Sequence, residues 1–263
     1  MKPRRLPALV LLLLAAPAMA APAADQLRFV ACPVYRDTDA GKKSGCWLAE
    51  DHEDGVRYDI TPSPAKPDWN FAVLVEGRRA RTADEPGPCG GLVLDPVRVS
   101  VLDEPCTRAM LPAEGFPGRR FVLPPRNIRP LYEARKPFPT PMVERSFSIP
   151  FGFGRSFISY QLGDYLIDEA VAYAVASHAA RVEIIGWAAT APAVVSGRTL
   201  AEPLELAKTR AEIAAAWMTG LGVPADRLKI SWRGGAEPAD IPGADGLVEP
   251  SRRRVDIRVI PGS

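Results

Sequence analysis

The chain has 263 residues, and its charges nearly cancel, with 33 Lys and Arg against 31 Asp and Glu. Its length suits two modest domains rather than one. The charge balance argues against nucleic acid or anionic lipid as the main partner, because both attract clusters of basic side chains.

The first twenty residues have the pattern of a secretory signal peptide. Lys2, Arg4 and Arg5 precede an apolar stretch at 6–16 that is too short to span a bilayer, and residues 18–20 (Ala-Met-Ala) form a cleavage site. Removing three of the 33 basic residues leaves 30 against 31 acidic ones, a net charge of −1. No later apolar run approaches membrane-spanning length, so we expect a soluble, exported mature protein without a transmembrane segment.

All four cysteines lie in the first half of the chain, at Cys32, Cys46, Cys89 and Cys106. Zinc sites use closely spaced pairs, which are missing here, whereas export favours two disulfides. Three pairings are possible. Cys32 and Cys46 are symmetric about Asp39 in a turn-rich stretch, so a hairpin would place them opposite each other. This symmetry predicts Cys32–Cys46, and Cys89–Cys106 follows by elimination.

Residues 21–110 predict a small β domain. Five short strands are indicated, at 27–35, 46–51, 56–60, 71–81 and 92–102. Pro96 is expected to break the last one, which would also let the cysteines on either side approach each other. Five short strands suggest a small barrel, of OB-like type. Trp47, Trp69 and Tyr58 fit core packing better than a stacking platform for a ligand.

The chain then changes character twice. Residues 111–141 contain eight prolines, which exclude regular helix or central strand, and predict an extended connector. In residues 142–263, segments with the apolar periodicity of a strand alternate with segments that have the periodicity of a helix. Strands are predicted at 143–150, 182–186, 228–232 and 254–260, and helices at 162–177 and 204–221. The order β-α-β-α-β-β makes the whole chain α+β.

Arg210 has unusual neighbours for an arginine on an amphipathic helix. One turn away lie Leu206, Ala207, Ile213 and Ala214, none of which is acidic. A guanidinium on the apolar side needs a carboxylate or carbonyls from elsewhere in the fold, or a ligand. The alternative is an arginine that reaches water from the helix edge.

Several motifs in this half occur in a familiar order. Gly186 closes the second strand, Leu206-Ala-x-x-Arg210-Ala lies on the second helix, and Pro250-Ser-Arg-Arg-Arg-Val255 leads into the last strand. Together they resemble the OmpA-like, peptidoglycan-associated domain over residues 143–260. The resemblance implies that Arg210 pairs with the free carboxylate of diaminopimelate in the peptidoglycan stem peptide, and that an aspartate after the second strand binds its ammonium. It also implies a periplasmic location, at the cell wall or the outer membrane.

The chain departs from the family pattern at the aspartate, which is Ala189 here, and at an upstream asparagine, which is Pro203. Glu202, Glu205, Asp240 and Asp245 are substitute acids. The expected ligand-binding residues are Arg210, Trp187, Thr190, Glu202 and Arg253, with a solvated basic edge strand as the alternative for Arg253. Without the carboxylate of the family aspartate, binding of the stem peptide should be weak, and Ala189→Asp should restore part of it.

No motif indicates catalysis. The chain has two histidines, His52 and His178, and lacks a nucleophile elbow, a zinc motif and a P-loop. We therefore expect no enzymatic activity, cofactor or metal. Two functions remain. In one, an envelope protein associates weakly with peptidoglycan. In the other, the stem-peptide site is lost and the chain is a scaffold for other envelope proteins.

Overall fold

The computed structural model describes residues 25–39, 45–81, 85–119, 136–158 and 162–262. The expected signal peptide lies outside the described residues, as does much of the proline-rich connector. Among the described residues, no helix combines the length and apolarity needed to cross a membrane.

The first half is a single seven-stranded sheet. Its strands are β1 (Gln26–Ala31), β2 (Val34–Arg36), β3 (Cys46–Asp51), β4 (Val56–Asp59), β5 (Phe71–Arg79), β6 (Leu92–Pro105) and β7 (Ala109–Leu111). The order is β1-β5-β6-β4-β3-β2-β7. Phe29, Tyr58 and Val75 belong to its buried core, so Tyr58 is no part of an exposed platform. In the described residues β1 and β7 do not pair, and the expected closed barrel is not found.

The sequence predicted that Pro96 breaks its strand, but the strand continues through it. β6 runs through it for 14 residues, with a cis Asp95–Pro96 peptide and a register shift against β5 between Gly77 and Arg79. Proline cannot donate to a ladder, and a bulge accommodates it. Gly77 permits the close approach, because a Cβ there would lie 2.9 Å from the Pro96 carbonyl oxygen.

The predicted cysteine pairing is wrong: the disulfides are Cys32–Cys106 and Cys46–Cys89. The β2–β3 register pairs Arg36 with Cys46, so the hairpin is offset from the symmetry used in the prediction. Cys32 lies beyond β1, which pairs with β5 instead. The symmetry failed because Cys32 directly follows β1, at one end of the sheet, whereas Cys46 is the first residue of β3, near the other end.

The second half has the expected succession of elements. They are β8 (Arg145–Pro150), α1 (Leu162–Ala176), β9 (Arg181–Ala188), β10 (Ala193–Val195), β11 (Arg198–Leu200), α2 (Leu204–Gly220), β12 (Leu228–Gly234), α3 (Val248–Arg252) and β13 (Arg254–Ile260). The main sheet has the order β12-β9-β13-β8, with β12 parallel to β9. The β-α-β-α-β-β order is confirmed, with a β10–β11 hairpin and α3 added in the loops. The chain is a mixed α+β protein.

The two halves share a hydrophobic cluster and polar contacts. The cluster contains Val30 and Leu74 from the first half and Phe153 and Val195 from the second. Ser100 Oγ accepts a hydrogen bond from the Phe153 N–H at 2.8 Å. The first half therefore packs against the β8–α1 segment and the β10–β11 hairpin.

Each disulfide should stabilise the fold by closing a long loop. The sequence separations are 74 and 43 residues, so chain entropy predicts about 4 kcal/mol for each, with only a small difference between them. We expect Cys32→Ser/Cys106→Ser and Cys46→Ser/Cys89→Ser to lower the free energy of unfolding by about 2–4 kcal/mol each. Denaturant titration measures this, and non-reducing peptide mapping that found Cys32 joined to Cys46 would contradict the pairing.

Candidate functional site

Arg210 is fully enclosed at the end of the sheet where β9 finishes. It lies on the face of α2 that packs on β9, next to Ala207 and Ala211, and its side chain is 0% exposed. Gly186 lets α2 come this close, since a Cβ there would lie 1.9 Å from the Ala207 carbonyl oxygen. The Phe151 ring lies 5.2 Å from the guanidinium carbon. Arg210 therefore lies near the end of β9, and its side chain does not reach water.

All five N–H groups of the guanidinium have acceptors. Nε donates to the Arg155 carbonyl at 2.8 Å. Nη1 donates to the Trp187 carbonyl at 2.8 Å and to Glu202 Oε2 at 2.9 Å. Nη2 donates to the Gly152 carbonyl at 3.2 Å and to Glu202 Oε1 at 2.6 Å. No donor is left for a ligand in this arrangement.

Glu202 is the carboxylate partner of Arg210. It precedes α2, is 0% exposed, and accepts the Arg210 fork with both oxygens. Oε1 also accepts the Gly154 N–H and Oε2 the Ala189 N–H, each at 2.8 Å. Four donors thus converge on one carboxylate, and together they form a complete anion-binding site. The anion comes from the chain itself.

The electrostatics of this pair favour the ionised carboxylate. Burial alone would raise the pKa of Glu202, but the hydrogen bonds and charge of Arg210, with the Ala189 N–H and the Arg253 charge, outweigh it and hold the pKa below its ordinary value. Glu202 was a candidate partner for a ligand ammonium. In the structure it neutralises Arg210 instead.

Trp187 and Thr190 do not present their side chains to Arg210. The Trp187 side chain points to the face of the sheet away from Arg210, because alternate residues of a strand point to opposite faces. Only its carbonyl accepts a hydrogen bond from Arg210. Its indole Nε1 donates to Asp256 Oδ2 at 2.8 Å on the other face of the sheet. The Thr190 side chain lies over Gly234, where a Cβ would meet its Oγ1 at 2.4 Å.

Arg253 is buried between the two halves of the chain. Its Nη1 donates to Glu76 Oε1 at 3.2 Å, and Nη2 also bonds the same carboxylate. Arg28 donates to Glu76 at 3.0 Å. The next strand, β13, lies between β9 and β8, so the alternative of a solvated basic edge strand is wrong. The sequence analysis did not identify Glu76 as a partner of Arg253. The signal was present, since a carboxylate inside the apolar run of β5 indicates a buried ion pair.

The first half of the chain covers the surroundings of the site. Arg155, whose carbonyl accepts from Arg210, donates through Nη2 to the Val101 carbonyl at 2.7 Å. In the β10–β11 hairpin, Ser196 Oγ accepts the Val30 N–H at 3.0 Å, and Arg198 pairs with Glu104 through two contacts of 2.7 Å. The first half therefore contacts both the segment that contains Arg155 and the β10–β11 hairpin.

No protein-family model and no curated protein matches this chain. Solved structures with similarity include the OmpA-like domain of FopA1 from Francisella tularensis subsp. tularensis SCHU S4, at 18% identity over 46% of this chain and 77% of that one, with a TM-score of 0.35. The cell wall anchor of the T6SS from Pseudomonas aeruginosa has 18% identity over 45% and 82%, with a TM-score of 0.35. A putative MotB like protein from Desulfovibrio vulgaris has 14% identity over 46% and 75%, with a TM-score of 0.34.

The buried pair should show strong coupling between its two members. Removing one partner of a buried ion pair costs about 3–5 kcal/mol, because the other charge is left unpaired. We expect Glu202→Met and Arg210→Met each to lower the free energy of unfolding by roughly this amount. The double variant should lose clearly less than the sum of the two, and denaturant titration of all four proteins measures this. Additive losses would contradict the pairing.

Acid should weaken the same contact. The folded-state pKa of Glu202 lies below its unfolded value of about 4.3, so the stabilisation is fully present above that pH and is lost as pH falls through the folded-state pKa. Glu202→Gln lacks this ionisation. The difference in unfolding free energy between wild type and Glu202→Gln should therefore shrink as pH falls below about 4. A difference that stays constant from neutral to strongly acidic pH would mean that Glu202 is not ionised in the fold.

Proposed function

We propose that this chain is a non-enzymatic protein of the bacterial periplasm whose OmpA-like half keeps the family arginine as an internal contact and acts as a scaffold for other envelope proteins. One observation carries the proposal. The carboxylate of Glu202 occupies the complete donor set that would otherwise bind the carboxylate of a stem peptide.

A stem peptide would have to displace Glu202 before it bound Arg210. The displaced carboxylate would lose its fork and two backbone N–H donors, and breaking such a buried pair costs about 3–5 kcal/mol. Since about 1.4 kcal/mol corresponds to a factor of ten, binding would weaken by roughly two to more than three orders of magnitude. The ligand ammonium would also find alanine at position 189.

The structure changes what we expect from restoring the family aspartate. The Ala189 N–H lies 2.8 Å from Glu202 Oε2, and the Glu202 N–H donates back to the Ala189 carbonyl at 2.9 Å. A carboxylate at position 189 would therefore lie close to an existing buried carboxylate. Ala189→Asp alone should not restore binding, contrary to the expectation from the sequence, because like charges disfavour each other.

Cosedimentation with purified insoluble peptidoglycan tests the proposal. Wild type and Ala189→Asp should both remain in the supernatant at micromolar concentration. The double variant Glu202→Met/Arg210→Met should behave like wild type, and it serves as the control because it removes both charges together. Pelleting of folded wild type that is lost in the double variant would show that Arg210 does bind the cell wall, and would overturn the proposal.

A further inference from the structure

The outer edge of β12 is unpaired and exposed. β12 is the terminal strand of its sheet, and in the described part of the chain no strand pairs with its free side. Five of its seven residues are exposed. An edge of this length presents a row of unused backbone donors and acceptors, which natural proteins usually cover or blunt.

The alternation of the strand shows which N–H groups face outward. The Gly235 N–H, just after the strand, donates to the Ala188 carbonyl of β9 at 3.0 Å. Backbone groups of successive residues point to opposite sides, so the odd-numbered residues of β12 face β9. The N–H groups of Ile230 and Trp232 therefore point to the free side.

One face of this edge is apolar. Ile230 pairs in register with Ile184 of the core, so it lies on the face that the helices cover, yet it is 42% exposed, and Trp232 is 41% exposed. The Lys208 Nζ of α2 lies 5.8 Å from the Trp232 ring. Leu204, one helical turn earlier, is 50% exposed. A strand added here would cover apolar side chains.

On its opposite face the edge strand itself carries basic side chains, and Glu183, in register with Lys229 on β9, is paired with other arginines. Lys229 and Arg233 project there and are exposed. Within the described residues neither forms an ion pair, although the Arg233 guanidinium lies 6.0 Å from the Trp187 ring. An added strand would therefore meet two positive charges on this face.

These charges disfavour a second copy of the chain as the occupant. A two-fold antiparallel pairing centred on Ser231 would place Lys229 of each copy opposite Arg233 of the other. Like charges directly opposite each other destabilise an antiparallel pair. The complementary occupant carries acidic side chains where this strand carries basic ones.

We propose that the free edge of β12 binds an extended segment of a partner protein in which apolar and acidic residues alternate. The segment adds as a fifth strand, with its apolar residues beside Ile230 and Trp232 and its acidic residues beside Lys229 and Arg233. This inference rests on the scaffold role proposed above, for which it names the class of partner.

Fluorescence anisotropy with labelled peptides tests the charge complementarity. The acidic probe is Thr-Glu-Val-Glu-Val-Glu-Thr, whose outer glutamates are four residues apart like Lys229 and Arg233, and the matched probe has lysine in place of glutamate. The chain without residues 1–20 should bind the acidic probe and not the basic one. Lys229→Glu/Arg233→Glu should weaken the acidic probe about tenfold or more and bind the basic probe instead, since two attractive cross-strand pairs become repulsive.

A second pair of variants tests the backbone contacts. Ile230→Pro removes one outward N–H, and an edge strand tolerates proline on its free side. Ile230→Ala is the matched control, because it shortens the same side chain but keeps the N–H. With circular dichroism showing both folded, proline should abolish binding and alanine should weaken it only a few-fold. If Ile230→Pro does not fold, the charge reversal alone decides.

Three results would overturn the inference. They are equal binding of the two probes by wild type, binding that the charge reversal leaves unchanged, and self-association in sedimentation that Ile230→Pro abolishes, which would assign the edge to a second copy. None of these depends on peptidoglycan. If the peptide experiment contradicts the inference, the cosedimentation result is unaffected. Pelleting with peptidoglycan would overturn the proposed function but would not change the outcome of the peptide experiment.

Discussion

The second half of the structure depends on one guanidinium that has no access to water. A buried Arg210 needs five acceptors, because a buried unpaired charge is very costly. The acceptors come from three places in the chain: the segment after β8, the end of β9 and Glu202, two residues before α2. Each of these segments must be in place for the others to be stable. One side chain thus sets the arrangement of the loops at this end of the sheet.

A second buried ion pair extends this constraint to the first half. Arg253 and Glu76 bring together β5 and the residue before β13, and the charge of Arg253 also lowers the pKa of Glu202. Buried pairs add little net stability compared with well-packed apolar residues, but a mismatched one is strongly penalised. The Arg253–Glu76 pair therefore fixes how the halves meet more than it strengthens the contact. The apolar cluster around Leu74 and Phe153 supplies the burial that holds the halves together.

The sequence predicted what is local and missed what is distant. The limits of α2 and β13 follow from periodicity, which neighbouring residues carry in themselves, and both agree with the structure to within one residue. The disulfides depend on a hairpin register and on strands far apart in sequence, so symmetry about one residue could not give them. The apolar surroundings of Arg210 correctly indicated a need for acceptors. What they could not show is that Glu202, eight residues away, turns back to supply the carboxylate.

Two features at this end of the sheet act together on Arg210. Position 189 carries alanine, which adds no charge beside the guanidinium. Glu202 supplies a carboxylate that neutralises the guanidinium from within the chain. Because the chain itself uses the donors at this end of the sheet, the partner contacts that we propose involve groups elsewhere in the fold. The edge of β12 has such groups, since no strand of the described residues pairs with its outer side and the side chains of Lys229 and Arg233 form no ion pair there.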